Sequence, residues 1–396
     1  MKTAKQHGSV APLKLMICAV EPSGDALGAA LMDALRCMSP GVKFIGCGGP
    51  LMAKSGLRSL FSTAPFSVVG PVDAVKALPA AMQGAQVLAE ASSSEKVDAA
   101  VLIDGWAFSR MAATRIKKHA PQTTLIKYVA PQVWASRPHR ARTVAKLFDG
   151  VLMLFSFEKD WFKKEGVETR FVGNPVFQSA AQGDADAALF RDKHAIGDAP
   201  LLAVLPGSRK NEVRRLIEQF RETVDLLAAE TPDLRVAIPV VPTVESEVKS
   251  LTKDWLRSPI IVPANNRYQV FAAADAGLAA SGTVTTELAI FRTPMIVAYR
   301  VGWLSALWFR RVIITPYVTL LNIVAGRAII PEFLQGDCKP AAMAAALAPL
   351  LADTPVRKAQ LEAFPGLLES LGVGGPPAAE EAGKAILGWI GEKKAS

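Results

Sequence analysis

The sequence is poor in cysteine, in aromatics and in long apolar runs. Four cysteines (Cys18, Cys37, Cys47, Cys338) are scattered over 396 residues without a C-x-x-C pair. That spacing argues against a disulfide framework and against a zinc site. Aromatics make up 7% of the chain, and no basic stretch is interleaved with them. With no zinc-finger, RNP or basic-zipper pattern either, nucleic acid is not an expected partner. No stretch supplies the ~20 uninterrupted apolar residues of a membrane span. The nearest candidate, Val301–Val318, is broken by Arg310, Arg311 and Pro316. Near the amino terminus a short apolar run, Leu15–Val20, ends in Glu21-Pro22-Ser23-Gly24-Asp25. A signal peptide would end in small residues at a cleavage site, so this run reads as a strand entering a turn, and a cytoplasmic protein is expected.

What the chain does have is apolar content and positive charge. Half the residues are hydrophobic, a fifth are charged, and 45 Lys+Arg against 36 Asp+Glu leave a net charge of +9. Disordered and collagen-like chains are thereby excluded. The mean hydropathy of +0.24 is high for a soluble enzyme. Apolar excess without a span suggests membrane contact, and the basic balance suggests an anionic lipid surface or a phosphorylated substrate.

Short apolar runs alternate with helical patterns along the whole chain. Strands are expected at Leu15–Val20, Lys43–Cys47, Ala99–Asp104, Thr124–Val129, Val151–Phe155 and Thr169–Val172. A composition shift at Gln178–Ala188 marks a linker, after which strands resume at Leu201–Leu205, Leu234–Val240, Ile260–Val262, Ala276–Ala279 and Met295–Val297. A helix is expected from about Asp25, with Leu27, Leu31, Ala34 and Leu35 on one face. Continuous apolar strands between helices mean parallel sheets covered on both faces. The expected fold is α/β, with two Rossmann-like doubly wound domains facing a cleft. The domains would be 1–182, 183–365 and a helical C-terminal segment, 366–396, packing back on the first.

Ligands of such sheets sit beyond the carboxyl ends of the strands. After the first strand, Ser23 is placed to cap the helix, and Gly24 to let a ligand approach the backbone. Gly46-Cys47-Gly48-Gly49 follows the second strand without the G-x-G-x-x-G spacing, so no dinucleotide fingerprint is supported. Asp104 ends the third strand beside Trp106 and Phe108, where desolvation would raise its proton affinity and suit it as a general base. The stiff basic loop Ala130–Arg140 carries Gln132, Trp134 and His139, the last more plausibly a surface residue than a base. In the second half, the backbone N–H groups of Gly207 and Ser208 with the guanidinium of Arg209 suit a diphosphate. Lys210, Arg214 and Arg215 read as a solvated basic helix face. Ser281, Gly282 and Thr283 open a helix where phosphate is favoured, and Glu287 further in can accept hydrogen bonds from ribose hydroxyls. A carboxylate in one half and phosphate-binding features in the other describe a nucleotide-sugar glycosyltransferase of GT-B architecture.

Several stretches resemble the lipid-A-disaccharide synthase family: EPSGDALGA (Glu21–Ala29), YVAPQVWASRP (Tyr128–Pro138), FVGNP (Phe171–Pro175), LPGSRKNEV (Leu205–Val213), ASGTVTTELA (Ala280–Ala289), PMIVAYRV (Pro294–Val301) and PYVTLLNIVAGRAIIPEFLQ (Pro316–Gln335). They fall in family order over roughly Leu15–Leu350. The chain departs from the family pattern at Gly105–Ser109, which lacks a second acid, at Gly173-Asn174-Pro175, and at Leu320-Leu321-Asn322.

The resemblance implies an inverting transfer. UDP-2,3-diacylglucosamine and 2,3-diacylglucosamine 1-phosphate would give a β-1′,6-linked disaccharide 1-phosphate and UDP. In that scheme Asp104 is the base and Arg209 stabilises the leaving diphosphate. Gly207, Ser208, Ser281, Gly282, Thr283, Glu287 and Asn322 hold the donor, while Glu21, Ser23, Gly24, Asp25, Gln132 and Trp134 line the acceptor side. No metal and no cofactor are expected. The partners would be inner-membrane lipid, met peripherally on the cytoplasmic face, and a second copy of the chain. Pro71–Leu88 and Trp303–Val312 are the candidate membrane segments. Two alternatives stand beside this reading: a GT-B transferase with another acceptor, and a nucleotide-sugar-binding membrane protein without catalysis.

Overall fold

The short apolar runs form two sheets of six strands each, and every strand pair is parallel. The computed structural model describes residues 12–66, 71–183, 185–302 and 311–395, with the backbone alone at 71–76. The first sheet contains β1 (Lys14–Ala19), β2 (Lys43–Cys47), β3 (Ala99–Ile103), β4 (Thr124–Tyr128), β5 (Gly150–Met153) and β6 (Glu168–Phe171), in the order β2-β1-β3-β4-β5-β6. The second contains β7 (Leu201–Leu205), β8 (Arg235–Val240), β9 (Ile260–Pro263), β10 (Ala276–Ala280), β11 (Met295–Tyr299) and β12 (Glu332–Leu334), in the order β12-β11-β10-β7-β8-β9. The chain divides into two units, Met1–Pro175 with Pro376–Ser396, and Val176–Gly375.

In the first unit the two faces of β1 bury different side chains. Leu15, Ile17 and Ala19 pack with Leu31 and Leu35 of the Pro22–Met38 helix and with Ile386 of the Ala378–Ala395 helix. Met16, Cys18 and Val20 pack on the other face with Leu88 and Ile116 of the Pro71–Ser94 and Trp106–His119 helices. Because successive side chains point to opposite faces and both faces are covered, the strand must be apolar at every position. The C-terminal helix is further tied by Lys393, whose Nζ donates to Thr123 O and Asp149 Oδ2. In the second unit the long Lys210–Glu230 helix sets Val213, Leu216, Phe220 and Val224 against Leu202 and Val204 of β7. These residues recur at helical spacing along one buried stripe.

Three expectations are corrected. The Pro22–Met38 helix begins before Asp25, because proline fits the first helical position and Glu21 takes the N-cap. Most of the expected linker is helical: Pro175–Ala181 and Ala187–Lys193 frame it, and Phe177, Ala180 and Phe190 are buried. The third is β12, a short half-buried strand with no continuous apolar run to announce it. Of the two candidate membrane segments, residues 303–310 and the side chains of 71–76 lie outside the described ones. Leu78 and Met82 on the Pro71–Ser94 helix are exposed. Among the described residues no helix is long and apolar enough to cross a membrane.

Candidate active site

Asp104 follows the last residue of β3 in a left-handed conformation (φ +49°), and Gly105 continues it (φ +47°). Aspartate tolerates this region better than most residues, but the turn still needs support. Lys127 supplies it. This lysine is buried in β4, and its Nζ donates to the carbonyls of Asp104, Leu102 (3.2 Å) and Tyr128 (3.3 Å) and to Ser109 Oγ (3.2 Å). Ser109 Oγ in turn donates to Asp104 O at 2.6 Å. Burial lowers the Lys127 ammonium to about 7, against the opposing pull of the Asp104, Cys18 and Glu21 charges. On the solvent side, Ser23 Oγ donates to Asp104 Oδ2 at 3.2 Å.

Glu21 completes the group. Desolvation, then the Asp104 charge, raise its pKa, while Lys127 lowers it. A Cβ built on Gly105 would lie 3.5 Å from Glu21 Oε1, which places that carboxylate against the turn. A second acid thus stands beside Asp104 despite the altered Gly105–Ser109 run, contributed by the N-cap of the Pro22–Met38 helix. The environment of Asp104 is polar, contrary to expectation. Phe108 packs instead with Phe61 and Phe66, and Trp106 faces Arg140.

Other residues assigned to the acceptor side have structural work. Ser23 sits inside the first turn and is not the cap. Gly24 is buried, and a Cβ there would meet Ala19 Cβ at 3.2 Å, so its absence lets helix and sheet approach rather than a ligand. Asp25 is buried, and its carboxylate accepts from the N–H groups of Gly49 (2.8 Å), Leu51 (2.9 Å) and Met52 (3.0 Å). It thereby satisfies the start of the Pro50–Lys54 helix. Trp134 is buried against Phe155 and Phe157, and its Nε1 donates to Glu158 Oε1 at 3.1 Å. Burial raises Glu158 to about 7, against the Trp134 and backbone hydrogen bonds that favour its carboxylate. Gln132 is exposed on the loop, and His139 is exposed and lines a cavity described below.

In the second unit, Gly207 has φ +120°, and a Cβ there would lie 2.7 Å from Glu212 Cβ. That close approach brings Glu212 Oε2 to the N–H groups of Ser208 (3.2 Å) and Arg209 (3.3 Å), while Oε1 accepts from Arg209 Nη1 at 2.7 Å. Residues 207–209 do converge as expected, and an internal carboxylate holds them. Arg209 remains 77% exposed, so its guanidinium can turn to an arriving anion. The open space over Gly282 lies at the carboxyl end of β10, and the N–H groups of Gly282 and Thr283 make no hydrogen bond among the described residues. Ser281 Oγ donates to Val318 O. Glu287 forms a two-point pair with Arg267, at 3.2 and 3.1 Å. Tyr268 is a further side-chain hydrogen-bond partner of Glu287.

Asn322 is placed differently. It lies inside the Leu320–Ala325 helix and is wholly buried. Its Nδ2 donates to Ile330 O and Glu332 Oε1, and its Oδ1 accepts from the Ile329 and Ile330 N–H groups. With every donor and acceptor committed, it joins its helix to β12 and has none left for a donor sugar.

Sequence reasoning missed Lys127, Glu212, Arg267 and the pair Arg215 and Arg300. The last two line a cavity of about 460 Å³ beside β11 together with Arg214, which also pairs with Glu247. Lys127 had a signal, a lone cation in an otherwise apolar strand; Glu212 had one in its spacing from Arg209. Arg267 and Arg300 had none. Among the described residues no group of three His, Cys, Asp or Glu is placed to hold a metal ion.

A family model described as Lipid-A-disaccharide synthetase matches residues 15–370. The lipid-A-disaccharide synthase of Paramagnetospirillum magneticum is 40% identical over 384 residues, covering 96% of this chain and 98% of its own. That of Rhodospirillum centenum is 40% identical over 382 residues, 96% of this chain and 95% of its own. Among solved structures, the S. aureus MnaA–UDP co-structure superposes with a TM-score of 0.62 at 13% identity, covering 97% of this chain and 98% of that one. The likeness to that protein is one of fold, the two-domain α/β class of GT-B glycosyltransferases and sugar-nucleotide epimerases.

Proposed function

The chain belongs to the lipid-A-disaccharide synthetase family, and from that premise we propose how its residues carry out the hexosyl transfer. The donor is UDP-2,3-diacylglucosamine, and the acceptor is 2,3-diacylglucosamine 1-phosphate. The acceptor 6-hydroxyl attacks the anomeric carbon, the bond to the diphosphate breaks, and UDP leaves with inversion. Asp104 takes the hydroxyl proton. Its carboxylate is held by Ser23 and by a turn whose carbonyls Lys127 gathers. Glu21, whose pKa is raised by desolvation and by the Asp104 charge, stands as a second acid beside Asp104.

The leaving diphosphate is held by Arg209 and by the N–H groups of Gly282 and Thr283, which stabilise charge as it develops. Where a diphosphate competes for the residue 207–209 loop, it displaces the Glu212 carboxylate from the Ser208 and Arg209 N–H groups. Glu287 accepts from the ribose hydroxyls while Arg267 fixes its orientation. The observation that carries this reading is the Asp104 turn. Backbone strain, a buried lysine and a neighbouring acid meet at this one turn at the carboxyl edge of a parallel sheet.

The test is a mass-spectrometric assay with both acylated precursors. Disaccharide 1-phosphate and UDP should appear together, and a non-acylated glucosamine phosphate acceptor should give little. Comparable turnover of the non-acylated acceptor would show a different GT-B transferase. The acylated substrates also account for the apolar and basic composition, and we assign peripheral membrane contact to the Pro71–Ser94 helix. Replacing exposed Leu78 and Met82 with serine should reduce co-sedimentation with phosphatidylglycerol vesicles, and unchanged co-sedimentation would remove that assignment. Sedimentation equilibrium tests the homodimer.

A further inference from the structure

The loop after β4 and the first turns of the Trp106–His119 helix enclose a cavity of about 370 Å³, within the span of small-molecule sites. Arg110, Arg137, His139 and Arg140 line it together with Trp106, and no described lining residue carries a carboxylate. The Arg140 guanidinium lies over the Trp106 ring, 5.6 Å from its centroid, which holds that cation at the wall. Gathering like charge here is unfavourable: desolvation, then the Arg137 and Arg110 charges, lower the Arg140 pKa. Arg137 also sits in the left-handed region, at φ +53°. Guanidinium groups brought together at a strained turn, with no carboxylate among the described lining residues, form a receptor for a planar or tetrahedral anion.

The position of the cavity narrows the choice of anion. Trp106 is two residues beyond Asp104, so the cavity flanks the base on the same edge of the first sheet. The donor's diphosphate has its own cradle in the second unit. The acceptor carries its reacting hydroxyl at one end of the sugar ring and its phosphate at the other. An anchor beside the base, but separate from it, is what such a substrate needs for orientation. We propose that this cavity binds the phosphomonoester of the acceptor sugar through Arg110 and Arg140, with Arg140 held over the Trp106 ring. The proposal rests on the transferase reading given above. An anionic phospholipid headgroup offers related phosphate chemistry, and the test separates the two sources.

Arg110→Gln, Arg140→Gln and the double variant are made in the full chain, with melting temperatures confirming that each folds. In neutral-detergent micelles, kcat/KM is measured for the 1-phosphate acceptor and for the same acceptor with a 1-O-methyl group. The double variant should lose on the order of a hundredfold on the phosphorylated acceptor, as expected for two lost charge-assisted contacts. The loss should lie chiefly in KM, with the donor KM unchanged and the methyl acceptor used equally by variant and parent. Equal losses on both acceptors, or no loss on either, overturn the proposal. So does a defect that disappears in neutral micelles and instead follows lost binding to phosphatidylglycerol vesicles. If the parent forms no disaccharide, the transferase reading fails by itself. Binding of the micellar 1-phosphate acceptor to parent and double variant then decides the cavity: loss in the variant supports it, and no binding to the parent contradicts it.

Discussion

Asp104 shows how a residue acquires a role from what the fold places under it. Its carboxylate is unremarkable in the sequence, one aspartate after an apolar run. Folding adds Lys127 from β4, Glu21 and Ser23 from the start of the helix that follows β1, and Ser109 from the first turn of the Trp106–His119 helix. The position of the acid at a strand end was legible, because strand ends can be read from apolar runs. Its surroundings were not, because they come from strands adjacent in space but far apart in sequence. A prediction at this scale concerns Glu158, buried beneath the Trp134 loop and raised to about 7. The unfolded chain ionises near 4.5, so Glu158 favours the folded state most below that pH and loses this contribution as pH rises through 7. Glu158→Gln keeps an acceptor for Trp134 and removes the titration. The variant should gain stability relative to the parent between pH 5 and 8, by on the order of 2–3 kcal/mol, read from urea midpoints. A constant difference across that range would refute the assignment.

Among elements, several polar residues that resemble ligand contacts serve as ties. Asp25 satisfies the first N–H groups of the following short helix, and Asn322 and Glu332 join a helix to β12. A sequence motif cannot distinguish a carboxylate that meets substrate from one that meets backbone, since both require the same residue at the same place. Strand positions were readable for the opposite reason: most of the described strands are apolar runs, whereas Glu168–Phe171 and Glu332–Leu334 are not. The expected linker misled because alanine, which made it look like low-complexity sequence, is also the best helix former. Asn322→Ala leaves two buried N–H groups and a carbonyl without partners. It should cost about 2–4 kcal/mol of stability in urea denaturation, with UDP affinity preserved in whatever protein remains folded. Intact stability with lost UDP affinity would instead place Asn322 on the donor.

For the whole molecule, the two units divide the labour. The first holds Asp104, the proposed proton acceptor, and the cavity lined by arginines; the second holds the open glycine turn after β10, the Arg209 loop and the Glu287–Arg267 pair. The sequence carried this division, since Asp104 follows a strand in the first half, while small residues and Arg209 follow strands in the second. What it could not carry was which cations remain available. Arg214, Arg215 and Arg300 line one cavity, and Arg214 there pairs with Glu247, an arrangement made only by side-chain packing. The central claim is that Asp104 acts in proton removal and not in holding the donor. It is tested most directly by comparing the parent with Asp104→Asn for disaccharide yield and, in parallel, for UDP affinity by calorimetry. The account predicts a rate loss of about 10²–10⁴-fold with UDP affinity unchanged. A variant that still turns over at the parental rate, or one that loses UDP binding in step with its rate, would contradict it.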